Sequence, residues 1–456
     1  MIKTKIGFYG DDFTGASDNA AQYHRHGLRT LLYFSNPEPA ALRQAAAEYD
    51  VIGVAGTARS MNVVDMAAEV LPVLRSFQQL QLPLIQYKCC STLDSTPSIG
   101  SLGEAARLMR SVWPDSHVPV LAAAPEFGRY TLFGNHFARA KDGIYRLDRH
   151  PTMSRHPVTP MSQADIRLLL QSQGFDVARL VDLPELDQWQ SDPAGLGRQL
   201  AQESDTAVFD TYSEQQLTTA AGSIWELAQQ RQVTAVAAQG FAFGVGNYLK
   251  NKVGQQAASA PQHLAACEKI LVVSGSCSPQ SAAQIDWAEQ AGFECLRISV
   301  DVVLRQESDG SALSAIENQV VAALQRGRSV VVYTARGLDD PSLEPSRIKL
   351  ERLGIGAAEL ANRFGALYAR LLRAAIERAG VRRLVVAGGD SSSFTMRHLG
   401  ARALAVHASH YAQNAHFCRI LADDAVVDGV QVLLKGGQVG SDALYGLARD
   451  GFTLGA

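Results

Sequence analysis

The chain has 456 residues, of which 46% are hydrophobic and 19% are charged, and its formal net charge is -3. This balance is typical of a folded globular protein and argues against disorder. A weakly acidic chain is a poor partner for DNA, and no apolar run is long enough to suggest a membrane span. The length suggests two domains of roughly 200 residues each.

The N-terminal residues enter a strand pattern at once, without the apolar segment of a signal peptide. The six cysteines form no CxxC pair and are few for a chain of this length. Such sparse cysteine usage is typical of a reducing compartment. We therefore expect a cytoplasmic protein.

Short apolar runs alternate with helical segments along the chain. This alternation predicts parallel sheets flanked by helices, so we expect an α/β fold of two domains with a cleft between them. The predicted strands are residues 6–9, 30–34, 51–55, 84–88, 118–124, 207–210, 235–238, 270–274, 295–299, 329–334 and 383–387. The clearest predicted helices are residues 15–26, 66–79, 279–290 and 359–379.

A domain boundary is predicted in the segment 250–268. This segment is polar and contains Ala, Ser and Pro, and a new strand pattern begins directly after it. Composition shifts of this kind are typical of linkers between domains. We therefore predict domains at residues 1–255 and 266–456.

The first predicted strand ends in a pair of carboxylates, Asp11 and Asp12. In an open parallel sheet, ligands bind beyond the carboxyl ends of the strands, so both side chains should lie at the rim of a crevice. Two carboxylates repel a phosphate, but they suit the hydroxyl groups of a sugar or the removal of a proton from one. The alternative is an Asx turn before a helix, with Thr14 as a candidate cap.

A second polar segment begins where the strand at residues 84–88 ends. Lys88 can hold a carboxylate or a phosphoryl group as a point charge, and Asp94 can orient or deprotonate a hydroxyl. Arg59 is a further candidate for binding an anion, although by itself it resembles an ordinary surface arginine. The alternative for this segment is a turn rich in Ser and Thr before a helix that begins near Ser98.

Three loops in the C-terminal half combine small residues with hydroxyl groups or glycines, each directly after an apolar run. Small residues let a ligand approach the backbone, and a helix N-terminus attracts phosphate. Each loop alone is equally typical of a strand-to-helix turn, but together they indicate a phosphate site. The loops are SGSCSP at 274–279, GGDSSS at 388–393 and KGGQVGSD at 435–442.

In their order and spacing, these segments resemble the four-carbon acid sugar kinase family, and the resemblance covers nearly the whole chain. It is carried by GDDFTGASD, YKCCSTLDSTPSIG, APEFGRYTLFGNHF, SRHPVTPM, VVSGSCSPQSAAQI, VAGGDSSSFTMRHLG and LKGGQVG. The resemblance implies phosphorylation, by ATP with Mg²⁺, of threonate, erythronate, a 3-oxo-tetronate or, in one branch, 3-oxo-isoapionate. It also implies that the N-terminal domain binds the sugar acid and the C-terminal domain binds the nucleotide.

The resemblance assigns individual residues to the two sites. The substrate-side motifs contain Asp11, Asp12, Lys88, Asp94 and Ser95, to which the charge argument adds Arg59. The nucleotide loops contain Ser274, Ser276, Gly388, Gly389, Asp390, Ser391, Gly436, Gly437 and Gly440.

We predict that Asp12 is the base that takes the proton of a terminal hydroxyl, with Asp94 as the second candidate. Lys88 or Arg59 would hold the substrate carboxylate. The metal ligands are not assigned. The implied partner is a small sugar acid, not a nucleic acid or a membrane, and the oligomeric state stays open, a homo-oligomer included.

Two other classes of function remain to be separated from a kinase. An NAD(P)-dependent oxidoreductase would share the α/β fold, but Asp11 and Asp12 occupy the turn where a pyrophosphate would bind, and the glycine spacing does not match the dinucleotide motif. A non-catalytic sugar-acid-binding protein would bind its ligand without turning over ATP. An assay of ADP release distinguishes all three.

Overall fold

The computed structural model describes residues 5–156, 158–203, 205–253, 262–305 and 310–454. The chain divides into two compact units, Met1–Ser259 and Ala260–Ala456, which we call the N-terminal unit and the C-terminal unit. Part of the predicted boundary segment, residues 254–261, lies outside the described residues. The predicted limits at residues 255 and 266 therefore stay a prediction.

A parallel sheet forms the centre of the N-terminal unit. Its described strands are β1 (Ile6–Gly10), β2 (Thr30–Tyr33), β3 (Val51–Ala55), β4 (Leu84–Lys88), β5 (Val118–Leu121), β9 (Arg179–Val181), β10 (Thr206–Phe209) and β11 (Val233–Ala237). They lie in the order β2-β3-β1-β4-β11-β5-β10-β9, and the pairings between them are parallel. Strands β1, β3, β4 and β11 are buried along their whole length, as expected for a sheet covered on both faces.

Helices connect these strands, and a small second sheet follows β5. The helices are α1 (Phe13–Arg25), α2 (Pro39–Glu48), α3 (Val63–Gln79), α4 (Leu102–Val112), α5 (Ile166–Ser172), α6 (Leu183–Gln188), α7 (Pro193–Glu203), α8 (Glu214–Ala228) and α9 (Gln239–Val253). The second sheet is three-stranded and antiparallel, and we call it the β6–β8 sheet: β6 (Arg129–Leu132), β7 (Asn135–Ala140) and β8 (Gly143–Arg146).

The C-terminal unit contains a mixed sheet. Its described strands are β13 (Leu271–Ser274), β14 (Glu294–Arg297), β15 (Val330–Tyr333), β16 (Arg383–Ala387), β17 (Ala401–His410), β18 (Ala415–Ala422) and β19 (Gln431–Lys435). They lie in the order β14-β15-β13-β16-β19-β18-β17. The strands from β14 to β19 in this order are parallel, whereas β18 pairs antiparallel with β19 and with β17.

Helices pack beside this sheet, and a short antiparallel strand pair lies next to it. The helices are α10 (Pro279–Gln290), α11 (Val300–Arg305), α12 (Ser311–Gln325), α13 (Leu343–Leu353), α14 (Ala357–Ala379), α15 (Gly389–His398) and α16 (Leu444–Asp450). The strand pair is β12 (Gln262–Leu264) with β20 (Phe452–Leu454). The core of this unit joins Val272, Val331, Val385 and Leu433 of the sheet to Ile285 of α10.

Register brings the carboxyl ends of the parallel strands together in each unit. In the N-terminal unit, Gly10 of β1 is opposite Lys88 of β4, and Lys88 is opposite Ala237 of β11. In the C-terminal unit, Ser274 of β13 is opposite Ala387 of β16. The loops that follow these strands therefore gather at one edge of each sheet, where ligands bind in open α/β folds.

The predicted fold class, two α/β domains with largely parallel sheets, is confirmed. Two local predictions were wrong. Helix α1 is capped by Asp12 and not by Thr14, because Asp12 has the extended backbone of a cap and its carboxylate accepts the Gly15 N–H. Helix α4 begins at Leu102 and not near Ser98, because Ser101 caps it. Among the described residues, no helix combines the length and apolarity needed to cross a bilayer.

Candidate active site

A group of charged side chains lies beyond the carboxyl ends of β1 and β4, and we call it the substrate-side cluster: Asp11, Asp12, Arg59, Lys88 and Asp94. Lys88 Nζ lies 3.3 Å from Asp12 Oδ1, and the Arg59 guanidinium lies 3.0 Å from Asp12 Oδ2. Arg59 also lies 3.9 Å from Asp94 Oδ2. The structure thus brings together the charged residues that the sequence analysis predicted on the substrate side.

Asp12 lies at the centre of this cluster. Besides its two cationic neighbours, it accepts hydrogen bonds from Thr14 Oγ1 at 2.9 Å and from the Gly15 N–H at 3.1 Å. Burial alone would raise the Asp12 pKa, but Lys88, Arg59 and these hydrogen bonds hold it well below the ordinary value. Asp12 is therefore a carboxylate throughout the physiological pH range.

Lys88 is 2% exposed, so its charge depends on its neighbours. Burial would lower its pKa, but Asp12 and Asp11 raise it above the ordinary value. Space for this ammonium requires a glycine at position 15, where a Cβ atom would lie 1.9 Å from Lys88 Nζ and 2.2 Å from Asp12 Oδ1. The glycine that follows the paired carboxylates thus serves the packing of the Lys88–Asp12 pair.

Asp11 is in a different state from its neighbour. Its side chain is buried, and Oδ1 has no hydrogen-bond partner among the described residues. Burial raises the Asp11 pKa to about 7, with Asp12 reinforcing this shift and Lys88 opposing it. Two adjacent carboxyl groups whose pKa values are pushed apart are typical of a site that handles protons.

The loop that carries Asp94 is held by its own hydroxyl groups. Thr92 Oγ1 donates to Asp94 Oδ1 at 2.7 Å. Ser95 Oγ donates to the Leu93 carbonyl at 2.9 Å and accepts from Gln173 Nε2 at 2.8 Å. Ser95 is thus buried and fully engaged within the protein, and its predicted contact with substrate stays a prediction.

A buried network below the cluster was missed in the sequence analysis. The Tyr9 hydroxyl donates to Glu69, which also accepts from the Thr57 N–H at 2.8 Å and from Thr57 Oγ1 at 3.2 Å. The Tyr9 ring stacks on Tyr87 with the ring centroids 5.5 Å apart. This network fixes the strand ends that present Asp11 and Lys88, and no motif or spacing in the sequence indicates it.

In the C-terminal unit, a cavity of about 770 Å³ opens beyond the carboxyl ends of β13, β15 and β16. Ser276, Gly388, Gly389 and Gly437 line it, and the resemblance assigned all four to the nucleotide loops. Their contact with a nucleotide stays a prediction. Ser274 ends β13 and is buried. The other predicted residues lie nearby: Gly436 and Gly440 in the loop after β19, and Asp390 and Ser391 in the first turn of α15, with side chains outside the described part.

Around the glycine loops of this cavity, two backbone segments lie close together. A Cβ atom at position 437 would lie 2.8 Å from Ser276 Oγ, and the Gly437 carbonyl accepts from Ser278 Oγ at 2.5 Å. At Gly389, in contrast, a Cβ atom would meet no atom of the described residues within 4 Å, apart from its chain neighbours and its own helix. Helix α15 begins there behind Gly388, which has no side chain to cap it. Such a helix start suits an anion.

Apolar side chains of two helices also line the cavity, and they were missed in the sequence analysis. Leu343 and Leu350 of α13 and Leu360 and Phe364 of α14 line it. An apolar wall beside a polar, glycine-lined end suits a ligand with a flat base and a charged tail. The polar loops carried a sequence signal, whereas leucines and a phenylalanine on helices are also ordinary core residues.

Lys435 lies beneath the loop after β19. It is 1% exposed, and its ammonium group donates to Ser281 Oγ at 3.1 Å. Burial lowers the Lys435 pKa to about 8. Ser281 Oγ in turn donates to the Gly437 carbonyl at 3.2 Å, so Lys435 supports the glycine loop from inside the unit.

Residues 6–245 match a family model described as a sugar-binding N-terminal domain, and residues 271–444 match one described as a nucleotide-binding C-terminal domain. A 3-oxo-isoapionate kinase from Paraburkholderia graminis is 36% identical over 453 residues, which cover 99% of this chain and 95% of that protein. The chain belongs to the four-carbon acid sugar kinase family. The predicted sugar-acid kinase is confirmed, and kinase relatives with a nucleotide-binding domain imply that it uses ATP.

A second curated relative and two solved structures are also similar to this chain. A 3-oxo-tetronate kinase from Cupriavidus necator is 29% identical over 409 residues, which cover 88% of each chain. A structure titled as a putative tRNA synthase from Salmonella typhimurium gives a TM-score of 0.74 at 22% identity over 96% of this chain and 97% of that one. A DUF1537 protein from Haemophilus influenzae gives 0.72 at 21% identity over 97% and 99%. These structures show the shared fold.

Proposed function

We propose that the chain transfers the γ-phosphoryl group of ATP to a terminal hydroxyl of a small 3-oxo sugar acid. The first candidate acceptor is 3-oxo-isoapionate and the second is 3-oxo-tetronate. This order follows the similarity to the two kinases, 36% identity over 99% of the chain against 29% over 88%. Threonate and erythronate belong in the same test because they are also small hydroxy acids.

The observation that carries this proposal is the ionised Asp12 between Lys88 and Arg59. Phosphoryl transfer requires little covalent chemistry from the protein, which must align the acceptor with the donor and neutralise charge. We assign Asp12 to orient the acceptor hydroxyl and to take its proton, with Asp94 as the second candidate. The two cations fix Asp12 in place and would offset the negative charge of the phosphoryl group during transfer.

The nucleotide would bind in the cavity of the C-terminal unit. Gly388, Gly389, Ser276 and Gly437 would surround the phosphates, and the apolar wall of α13 and α14 would hold the base. Mg²⁺ bound with the nucleotide would neutralise phosphate charge. Such an ion is usually held by one or two carboxylates and the phosphates themselves. This fits the described residues, which contain no group of three or more His, Cys, Asp or Glu able to hold a metal alone.

The proposed setting is the cytoplasm, where ATP is abundant. The six cysteines are all free, which suits a reducing compartment. The proposed partner is the small sugar acid alone, without nucleic acid or membrane. Both statements rest on the proposed reaction and are tested with it.

The experiment is a coupled assay of ADP release with purified protein, MgATP and four acceptors: 3-oxo-isoapionate, 3-oxo-tetronate, threonate and erythronate. We expect the first acceptor to give the highest kcat/KM, and the phosphorylated product to be identified by mass spectrometry. Acceptor binding without ADP release would instead indicate a binding protein. Release of ADP that no acceptor stimulates would remove the proposed function.

A further inference from the structure

Arg129 is a cation of the N-terminal unit that neither the sequence analysis nor the proposed function has used. It is the first residue of β6, and it follows the turn that leads out of the carboxyl end of β5. Backbone hydrogen bonds between Arg129 and Ala124 close this turn, at 3.0 and 3.1 Å. Strand β5 pairs with β11, and the end of β11 is opposite Lys88. The segment that leads to Arg129 therefore begins at the edge of the parallel sheet where the substrate-side cluster lies.

The Arg129 guanidinium is half-buried and forms no ion pair with any carboxylate that the structure describes. Its Nη1 group donates to the carbonyls of Phe127 at 2.8 Å and Gly128 at 3.4 Å. Its Nε atom is shielded from solvent and has no hydrogen-bond partner among the described residues. Burial lowers the Arg129 pKa, an effect that the charge of Asp94 opposes. An unpaired, partly desolvated cation is costly, which makes an anionic ligand its natural partner.

The other cations of the site are already engaged. Lys88 is paired with Asp12, and Arg59 is paired with Asp12 and lies near Asp94. Glu126, the acidic residue closest to Arg129 in the chain, is paired with Arg25 at 2.8 Å. Arg129 alone of these cations has no ion pair with a carboxylate among the described residues. A guanidinium can bind a carboxylate with two hydrogen bonds.

His136 ties the strand of Arg129 to the loop of Asp94. Its Nε2 atom donates to the Ser91 carbonyl at 2.8 Å, and its Nδ1 atom accepts from Thr131 Oγ1 of β6 at 3.0 Å. Burial lowers the His136 pKa to about 4, so the ring is neutral. Its single proton is on Nε2, because the Ser91 carbonyl can only accept a hydrogen bond. The β6–β8 sheet is therefore fixed against the substrate-side cluster.

We propose that Arg129 binds the carboxylate of the sugar acid, while Lys88 and Arg59 hold Asp12 in place as its ion-pair partners. This inference rests on the proposed function and replaces Lys88 and Arg59 as the predicted carboxylate ligands. It places the acidic end of the acceptor at the β6–β8 sheet and leaves the hydroxyl end for Asp12. Arg129 is thus the residue that distinguishes a sugar acid from the corresponding neutral sugar alcohol.

The test compares Arg129→Gln with Arg139→Gln. Arg139 is an exposed arginine of β7 that donates to Tyr130 Oη at 3.1 Å, so its replacement removes the same charge from the same small sheet. For the best acceptor of the panel, we expect Arg129→Gln to raise KM at least about 50-fold with little change in kcat. We expect Arg139→Gln to change KM less than about threefold.

A neutral acceptor separates substrate binding from a structural role. Threitol carries a hydroxymethyl group in place of the threonate carboxylate, so its weak turnover should be unaffected by Arg129→Gln. Equal losses with acid and alcohol, or equal losses in both arginine variants, would overturn the proposal. If Arg129→Gln does not fold, Arg129→Lys replaces it, with an expected rise in KM of about tenfold because the charge stays and the two-point contact is lost.

Binding of the same four acids, measured by calorimetry without nucleotide, tests the role of Arg129 separately from the proposed kinase activity. Tight binding of an acid that is lost in Arg129→Gln supports Arg129 even if ADP release shows no kinase activity. Kinase activity with unchanged acid affinity in Arg129→Gln overturns the role of Arg129 and leaves the proposed function intact. A wild-type protein that neither binds nor phosphorylates any of the acids overturns both.

Discussion

Asp11 and Asp12 are neighbours in the chain, yet the structure holds them in opposite states. Asp12 lies within ion-pair distance of Lys88 and Arg59, whereas Asp11 Oδ1 is buried without a partner among the described residues. One carboxyl group is therefore kept charged and the other is pushed toward its neutral form. The first two predictions follow from this difference.

Replacing each aspartate by asparagine should change stability in opposite directions. Asp12→Asn leaves the buried Lys88 without its partner, which should cost about 3–5 kcal/mol. Asp11→Asn removes a carboxylate that burial disfavours, and at about pH 8 it should stabilise the protein by at least about 1 kcal/mol. Denaturant unfolding of both variants at that pH checks the signs. If both variants lost a similar free energy of unfolding, the carboxylate of Asp11 would not be destabilising in the folded protein.

The stability contributed by Asp11 should depend on pH in a defined direction. Its folded pKa is raised to about 7 from an ordinary 3.8, so between these values the folded protein keeps a proton that the unfolded chain has lost. This contribution must therefore fall as pH rises from about 4 to about 7 and stay constant above that. The difference between wild type and Asp11→Asn isolates the effect, and a flat difference over this window would contradict it.

Asp12→Asn should also remove catalysis. We expect kcat to fall at least about 100-fold, because the acceptor hydroxyl loses its base, while nucleotide affinity stays within about twofold. Asp142→Asn is the control, since Asp142 lies in the turn after β7 and bonds only to Tyr145 at 3.0 Å among the described contacts. Near-normal turnover by a folded Asp12→Asn protein would exclude Asp12 as the base.

The pH profile of kcat identifies which aspartate acts. Because Lys88 and Arg59 hold the Asp12 pKa well below its ordinary value, a reaction that depends on ionised Asp12 should lose little rate between about pH 8 and pH 6. A reaction that depends on ionised Asp11 should decline near pH 7. Rates at saturating MgATP and acceptor measure this directly. A decline near pH 7 that disappears in Asp11→Asn would transfer the role to Asp11.

Gly389→Ala should weaken nucleotide binding without destabilising the protein. A Cβ atom at this position meets no atom within 4 Å in the part of the chain that the structure describes, so we expect any loss of affinity to reflect the ligand itself. We expect ATP affinity to fall about tenfold or more, a free-energy change of roughly 1.4 kcal/mol. Gly310→Ala is the matched control, since position 310 is equally open and lies outside the cavity lining. Equal affinity in both variants would place the phosphates elsewhere.

Most of the parallel strands could be predicted because they are buried on both faces, although the parallel strands β9 and β19 were missed. Strands β3, β4 and β16 have the bounds that their apolar runs predict. Strands β17 and β18 were missed because their apolar residues are mixed with histidine, serine and arginine, as in half-covered antiparallel strands. Sheet edges and antiparallel additions depend on neighbours that a local pattern does not contain.

The site could be predicted only in part for a related reason. Asp12, Lys88 and Gly389 follow strand ends, and strand ends are visible in the sequence. The pairing of Arg59 with Asp12 joins residues far apart in the chain, and the unpaired state of Arg129 becomes evident only when its surroundings are known. Whether a charged side chain finds a partner depends on residues that only folding brings together, so a local sequence motif does not predict it.

The β6–β8 sheet is separate from the parallel sheet that carries Asp12 and Lys88, and His136 is one of its attachments to the Asp94 loop. Substitutions can therefore alter the β6–β8 sheet without altering the parallel sheet. With the proposed role of Arg129, we expect substitutions in this small sheet to change the preferred acceptor while the Asp12–Lys88 pair stays intact. Engineering of acceptor range should begin at the same place.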